Sequence, residues 1–366
     1  QLKIFLELMN RELVFQRYMP VYWSPASKTA LAEAELEYKD DHVSMQVYVR
    51  FRTVPESLPP SITKLVGDRT LYLIIWTTTP WSLLANRATC YNQYENYSLV
   101  EVDGSDIALI ASDLISSPKI SEAIGKNYNI IGQILGEELS CVRYWHPLES
   151  FGILSGEQLL MIHGDHVTTK SGTGLVHTAP AHGQDDYLIG LAHRLDLTCQ
   201  VDQDGRYDDT TPQEFHGLAV LEEGSRKVIE LLMGKGDILL KSSYVHSYPY
   251  DWRSKQPVIL RAAKQWFIDT ASLRTPAIES IQRQVSVWPP SGARKLEEVL
   301  QKRPYWCVSR QRIWGVPIPV LYDENENVVT DKALIEHFCN LIDEHGTDFW
   351  WTLSAHELIK GTPFDG

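Results

Sequence analysis

The sequence lacks most of what would mark a membrane-embedded, secreted or metal-built protein. No apolar run in its 366 residues approaches the ~20 needed to cross a bilayer, and no membrane is expected as a partner. Cysteine is sparse: Cys90, Cys141, Cys199, Cys307 and Cys339 are odd in number and far apart. Neither a disulfide framework nor a zinc ribbon fits that spacing, and a reducing compartment is expected. Positive charge is also short, with 34 Lys and Arg against 47 Asp and Glu, for a net charge of −13. That excludes a protein coated in basic surface for nucleic acid. A local basic track remains over residues 294–312, which on its own reads as a solvated helix face plus a turn. Three catalytic signatures are missing. There is no G-x-S-x-G elbow, no G-x-x-x-x-G-K-[ST] phosphate loop and no G-x-G-x-x-G after a strand.

The first residue is Gln rather than Met, so the chain reads as a piece of something longer. Its opening, QLKIFLELMNRELVFQRYMP, suggests one amphipathic helix, without the basic-then-apolar layout of a secretory signal. Ser27 or Thr29 then suits the cap of a short helix. From about residue 39 to 245 the chain is mostly strand-like: HVSMQVYVRF alternates, LYLIIW is a buried run, and ENYSLVEV and DIALIAS follow. Two helices interrupt, DDYLIGLAHRL and EEGSRKVIELLMGKG, the second with a glycine stop. After 246 the character changes, with a strand–helix stretch expected from SYPYDWRSKQPVILRAAKQWF and a helix near 331–343. The layout suggests a mixed α/β protein in three parts. A largely β, barrel-like domain over 39–245 is inserted between 1–38 and 246–366, which look like pieces of a different α/β domain.

Chemistry could sit in two places. In LYLIIWTTTPWSLLAN a core strand runs into three hydroxyls, Thr77, Thr78 and Thr79, before Pro80 fixes the exit. A strand ending in a turn would explain this, and so would a polar rim that binds a sugar or orients a water. In SGTGLVHTAPAHGQDDY, Gly172 and Gly174 bracket a tight turn into a strand carrying His177, and Asp185 and Asp186 open a helix. One carboxylate there could cap the helix, and one could hold an ammonium group. His163 and His166 in IHGDH have no matching carboxylate or cysteine pattern, and no metal site is expected.

WTTTPWSLLAN and GTGLVHTAPAHGQDDY, about ninety residues apart and in this order, resemble isoleucyl-tRNA synthetase. PVYWSPASKTALAEAELEY, HSYPYDWRSKQPVILRAAKQWF and WCVSRQRIWGVPIPVLY extend the likeness along the whole chain. Thr79 followed by Pro80 and Trp81 matches the isoleucyl pattern rather than the valyl or leucyl one. The resemblance implies a Rossmann-type class I catalytic domain, only the edges of which are present, split by an editing domain. That domain would hydrolyse mischarged valyl-tRNA(Ile). The enzyme is the standard worked case of a limit on discrimination: one methylene gives only about 150-fold at the synthetic site, so a second sieve must admit valine and refuse isoleucine.

By the same resemblance, Asp186 would bind the α-ammonium, and Thr77, Thr78 and Thr79 would hold the terminal adenosine and the water. His177 would form the wall that rejects isoleucine, with Trp81, Ser82 and Asn86 on the same lip. Arg310 and Arg312 are candidates for tRNA contact. The family reads WTLPAN where this chain has WSLLAN, so Ser82 and Leu84 are departures. The H-I-G-H and K-M-S-K-S signatures are absent. ATP and magnesium are therefore expected only of a full-length synthetase, and no cofactor for editing. The expected partner is the acceptor end of tRNA(Ile) carrying valine or isoleucine as esters. A monomer in the mitochondrial matrix is expected, with the cytoplasm as the alternative. An editing-inactive tRNA-binding module and a free-standing deacylase are the rival readings.

Overall fold

The computed structural model describes residues 1–102, 106–125 and 127–365. They form two compact units, residues 19–263 and residues 1–18 with 264–366. The chain begins with α1 (Leu2–Asn10) and β1 (Val14–Ser24), which corrects the expectation of a single opening helix. The helix stops where Glu12 turns into the left-handed region at φ 58°. Val14, Phe15, Val21 and Tyr22, β-branched and aromatic, then continue as strand. β2 (Thr29–Leu31) pairs antiparallel with the end of β1, Tyr22 opposite Leu31. The capping expectation is corrected too. Only a 3-10 turn, Glu33–Glu35, follows, and there Glu35 accepts the Ala32 N–H at 2.9 Å. Ser27 instead gives its hydroxyl to Asp251 at 2.7 Å.

The larger unit continues with β3 (Leu36–Arg52), α2 (Pro60–Val66), β4 (Thr70–Thr77), β5 (Ala88–Tyr91), β6 (Asn96–Val102) and β7 (Asp106–Ala111). There follow α3 (Pro118–Ile124), β8 (Asn129–Leu135), β9 (Arg143–Trp145), β10 (Gln158–His163), β11 (Val176–Thr178), α4 (Gln184–His193), α5 (Ser225–Lys235) and β12 (Ile238–Asp251). Six strands make one sheet in the order β12–β3–β4–β7–β6–β8, and four make a second, β11–β5–β10–β9. Pairing is antiparallel except for β4 with β7 and β5 with β10. Both sheets are open: the barrel-like expectation gives way to two sheets with no closed barrel among the described residues. The apolar run reads as expected, because Leu71, Leu73, Ile74 and Ile75 are all buried, covered on both faces of the larger sheet.

The return segment is two strands of different sheets, not strand then helix: β12 leads through a turn into β13 (Ile259–Asp269). Ala262 and Ala263, good helix formers, are buried in β13, so packing overrides propensity. One carboxylate at the end of β12 ties this turn to the one between β1 and β2. Asp251 Oδ2 accepts the hydroxyls of Ser24 (2.8 Å), Ser27 (2.7 Å) and Ser254 (2.8 Å), while Oδ1 takes the Arg253 N–H at 2.9 Å.

In the smaller unit, α6 (Arg274–Arg283) and α7 (Ser291–Lys302) precede β14 (Tyr305–Cys307), β15 (Leu321–Tyr322) and β16 (Val328–Val329). Then come α8 (Lys332–His345), α9 (Phe349–Thr352) and α10 (Ala355–Ile359). β14 pairs antiparallel with β13, and β15 with β16. Asp331 caps α8 by accepting the Leu334 N–H at 2.7 Å. Leu2 of α1 joins Leu334, Ile335, Phe338, Phe349 and Leu358 in one core. Among the described residues no helix is long and apolar enough to cross a membrane.

Candidate active site

The end of β4 is built by its own hydroxyls. Thr77 Oγ1 accepts the Thr79 N–H at 3.0 Å, and Pro80 then opens a 3-10 turn, Pro80–Ala85, whose six residues are all buried. Thr79 Oγ1 lies 3.3 Å from Thr77 Oγ1 and 3.2 Å from Ser82 Oγ. Ser82 donates its proton to the Thr79 carbonyl at 2.8 Å. Thr78 keeps partial exposure, and its hydroxyl has no partner among the described residues. Leu84, where the resembled family has proline, is fully buried.

β11 closes over this turn. It runs antiparallel to β5, with His177 opposite Thr89. The glycines before it are required. Gly172 and Gly174 have φ of 74° and 75°, and a Cβ on Gly174 would meet the Ala111 methyl at 2.2 Å. His177 reaches Ser82 Oγ with Nε2 at 3.2 Å and Asn86 Nδ2 with Nδ1 at 2.7 Å. The direction of these bonds can be worked out. The Tyr144 hydroxyl donates to Asn86 Oδ1 at 2.6 Å, and Asn86 Nδ2 donates to the Ala88 carbonyl at 2.9 Å. The second Nδ2 proton then goes to His177 Nδ1, which must accept. The imidazole therefore carries its proton on Nε2 and donates it to Ser82. Burial, with a smaller push from His182, lowers the His177 pKa to about 3 and keeps the ring neutral.

Ser82 and His177 thus sit like a nucleophile and base but with the proton direction reversed. A catalytic base must accept from its serine, with a carboxylate behind it. Here the imidazole donates, and an amide stands behind it.

Asp186, the third residue of α4, folds its carboxylate back over the start of the helix and its own N–H, while the N-cap residue Gly183 has no side chain to cap with. Asp186 Oδ2 accepts the Ala179 N–H at 2.8 Å. Gly183 makes room for this, since a Cβ there would lie 2.7 Å from the Asp186 carboxyl carbon. Burial raises the Asp186 pKa to about 6, against the Ala179 bond, which lowers it. No cation pairs with this carboxylate among the described residues. Ala179 is two residues beyond His177, about 7 Å of extended chain. Trp81 is buried behind the lip, edge-on to His182 with ring centres 4.9 Å apart, and its carbonyl accepts the Tyr207 hydroxyl at 2.7 Å.

The structure therefore joins Thr77, Thr79, Ser82, His177 and Asn86 in one hydrogen-bond network, with Asp186 attached to Ala179, the residue just past the same strand. Thr78 borders it, and Trp81 supports it by packing. Arg310 and Arg312 belong to the smaller unit, and Arg310 Nη1 donates to the carbonyls of Cys307 (3.0 Å) and Ser309 (2.7 Å). Two participants escape sequence reading. Tyr144 lies 58 residues from Asn86 in a strand with no local motif, and the Ala179 contribution is a backbone N–H. His163 bonds Asp165 at 3.0 Å, and among the described residues no group of three His, Cys, Asp or Glu could hold a metal ion.

A buried hydroxyl–imidazole–amide network thus stands beside a carboxylate that no cation pairs with among the described residues. Residues 1–363 match the family model for class I tRNA synthetases (I, L, M and V), and the chain belongs to that family. It is 40% identical over 362 residues to the mitochondrial isoleucine–tRNA ligase of Macaca fascicularis, covering 98% of this chain and 35% of that protein. It is 39% identical over 370 residues to the isoleucine–tRNA ligase of Prochlorococcus marinus (strain NATL2A), covering 98% and 37%. The chain thus spans about a third of the length of these relatives. The crystal structure of the P. falciparum cytosolic leucyl-tRNA synthetase editing domain overlays on 54% of this chain and 99% of its own. Its 12% identity and TM-score of 0.36 are too low to carry an argument.

Proposed function

We propose that this chain is the editing region of an isoleucine–tRNA ligase and hydrolyses valyl-tRNA(Ile). The observation that carries the proposal is the meeting, within three residues of β11 and its exit, of the threonine–serine turn at His177 and of a carboxylate without a cation at Ala179. Asp186 receives the α-ammonium of the esterified amino acid, and the resulting pair lowers its pKa and holds it ionised. The neutral His177 ring, anchored at both nitrogens, is a wall and not a base. It cannot swing aside without breaking two buried bonds, which suits it to refuse one extra methylene. Thr78 offers the free hydroxyl, and the Thr77–Thr79 pair sets its position for the terminal ribose or the water.

An aminoacyl ester is already activated. Positioning, with hydrogen bonds to the developing oxyanion, can then carry hydrolysis without a covalent nucleophile, a neighbouring ribose hydroxyl assisting. Ser82 keeps the bonds expected of a hydroxyl at its position, and Leu84 fills core, so neither departure removes a part of the site. The chain has no signature for handling ATP, and no step here uses it. ATP with magnesium, isoleucine activation and the acceptor end of tRNA(Ile) as partner belong to the proposal for the whole enzyme, as does a monomeric state. Mitochondrial residence belongs there too, favoured by the mitochondrial relatives though bacterial ones match as well.

The test is deacylation of valyl-tRNA(Ile) by the chain and by Asp186→Ala. Hydrolysis that falls at least a hundredfold in the variant supports the reading. Equal turnover by both proteins, or turnover of neither ester by the parent chain, rejects it and leaves a binding module.

A further inference from the structure

We propose that Tyr144 is a positioning residue that sets the orientation and tautomer of the discriminating histidine through Asn86. The inference rests on the editing reading for its consequence but not for its geometry. Tyr144 comes from β9 at the edge of the smaller sheet, and it is fully buried with its ring stacked on Phe51, centres 5.5 Å apart. Its hydroxyl donates to Asn86 Oδ1 at 2.6 Å, the shortest bond in the network. Asn86 is itself fully buried, so its carboxamide has no water to fall back on.

Two partners decide which way that amide points. The Ala88 carbonyl needs a donor and takes Nδ2; the Tyr144 hydroxyl needs an acceptor and takes Oδ1. With both in place Nδ2 faces His177, leaves Nδ1 unprotonated and directs the Nε2 proton at Ser82. Without the phenol, Oδ1 is a stranded buried acceptor and the Ala88 carbonyl alone holds the amide, so a flipped form with Oδ1 toward His177, which gives up the Ala88 bond, becomes populated as a minor state. In that state the ring must carry its proton on Nδ1, the Nε2 proton is lost, and the bond to Ser82 loses its donor. The histidine becomes free to move, and the pocket loses a fixed wall.

Tyr144→Phe keeps the ring against Phe51 and removes only the hydroxyl. In the parent chain, nitrogen NMR of the His177 ring should show one tautomer, protonated on Nε2. In the variant the Nδ1-protonated form should appear. The ratio of valyl- to isoleucyl-tRNA(Ile) hydrolysis should drop by roughly tenfold, the rate equivalent of stranding one buried acceptor. Phe51→Leu is the control: it weakens packing on the same ring and should leave tautomer and ratio unchanged. An unchanged tautomer in Tyr144→Phe overturns the proposal, and so does an equal change in Phe51→Leu. A tautomer shift without any ester hydrolysis by the parent chain would uphold the positioning and reject the editing reading instead.

Discussion

His177 donates to Ser82; it does not accept from it. The 3.2 Å contact between Nε2 and Oγ would pass for a catalytic dyad were the other ring nitrogen not held by the Asn86 amide at 2.7 Å. That relationship separates a wall from a base, and the first prediction follows from it. His177→Ala should hydrolyse isoleucyl-tRNA(Ile) at least tenfold faster than the parent chain, the scale of one methylene in an apolar pocket. Valyl-tRNA(Ile) hydrolysis should stay within severalfold. Because the imidazole stays neutral down to about pH 3, the parent rate should show no histidine inflection between pH 6 and 9. Steady-state deacylation across that range checks both.

Asp186 should govern the acid limb. Its pKa is raised to about 6, chiefly by burial, so below that value the carboxyl is protonated and loses its hold on an ammonium. Hydrolysis should fall about tenfold per pH unit below 6. Stability should move the opposite way. The folded state binds the proton more tightly than the unfolded chain, so this contribution is fully present below about pH 4 and is lost as pH rises through about 6. Asp186→Asn should remove that slope and raise stability at pH 7 by about 2 kcal/mol. Thermal melts of both proteins from pH 4 to 8 measure it.

Asp251 predicts the reverse. Burial would raise its pKa, but the Arg253 N–H and the hydroxyls of Ser27, Ser24 and Ser254 outweigh it and bring it down to about 2. Its contribution is present above about pH 4 and lost as pH falls toward 2. Asp251→Asn should cost about 2 kcal/mol at pH 7, by weakening charge-assisted bonds to three hydroxyls. Urea unfolding at pH 7 and pH 3 should show a difference between the proteins that shrinks in acid.

Gly174→Ala should destabilise by about 3 kcal/mol, since φ is 75° and the new methyl would meet Ala111 at 2.2 Å. β11 begins two residues on, so the displacement should also reduce ester hydrolysis. Gly236→Ala, in the left-handed helical region at φ 75° and ψ 19° with only the Arg50 side chain at 3.9 Å from the new Cβ, is the control and should cost only about 1 kcal/mol.

Much of this was legible in the residues because the signals were local. LYLIIW reads as a buried strand, Gly172 and Gly174 mark a tight turn that the structure makes at positive φ, and the glycine stop Gly236 ends α5 at φ 75°. The failures came where tertiary packing decided. QLKIFLELMNRELVF keeps helical spacing through residue 10, but the next apolar residues face a sheet. Ala262 and Ala263 are strand because β13 is buried. Ser27 looks like a cap and is in fact one of three hydroxyls on Asp251, 224 residues away. In the site, Thr77, Ser82, His177 and Asp186 came from motif likeness. What orders them, Tyr144 and the Ala179 N–H, has no local pattern to read.

The most direct test is single-turnover deacylation of valyl-tRNA(Ile) and isoleucyl-tRNA(Ile) by this chain under identical conditions. The account predicts that the valyl ester is cleaved at least tenfold faster. Cleavage of both esters at the same rate would contradict it, because a pocket with His177 fixed in place could not then be the element that tells one amino acid from the other.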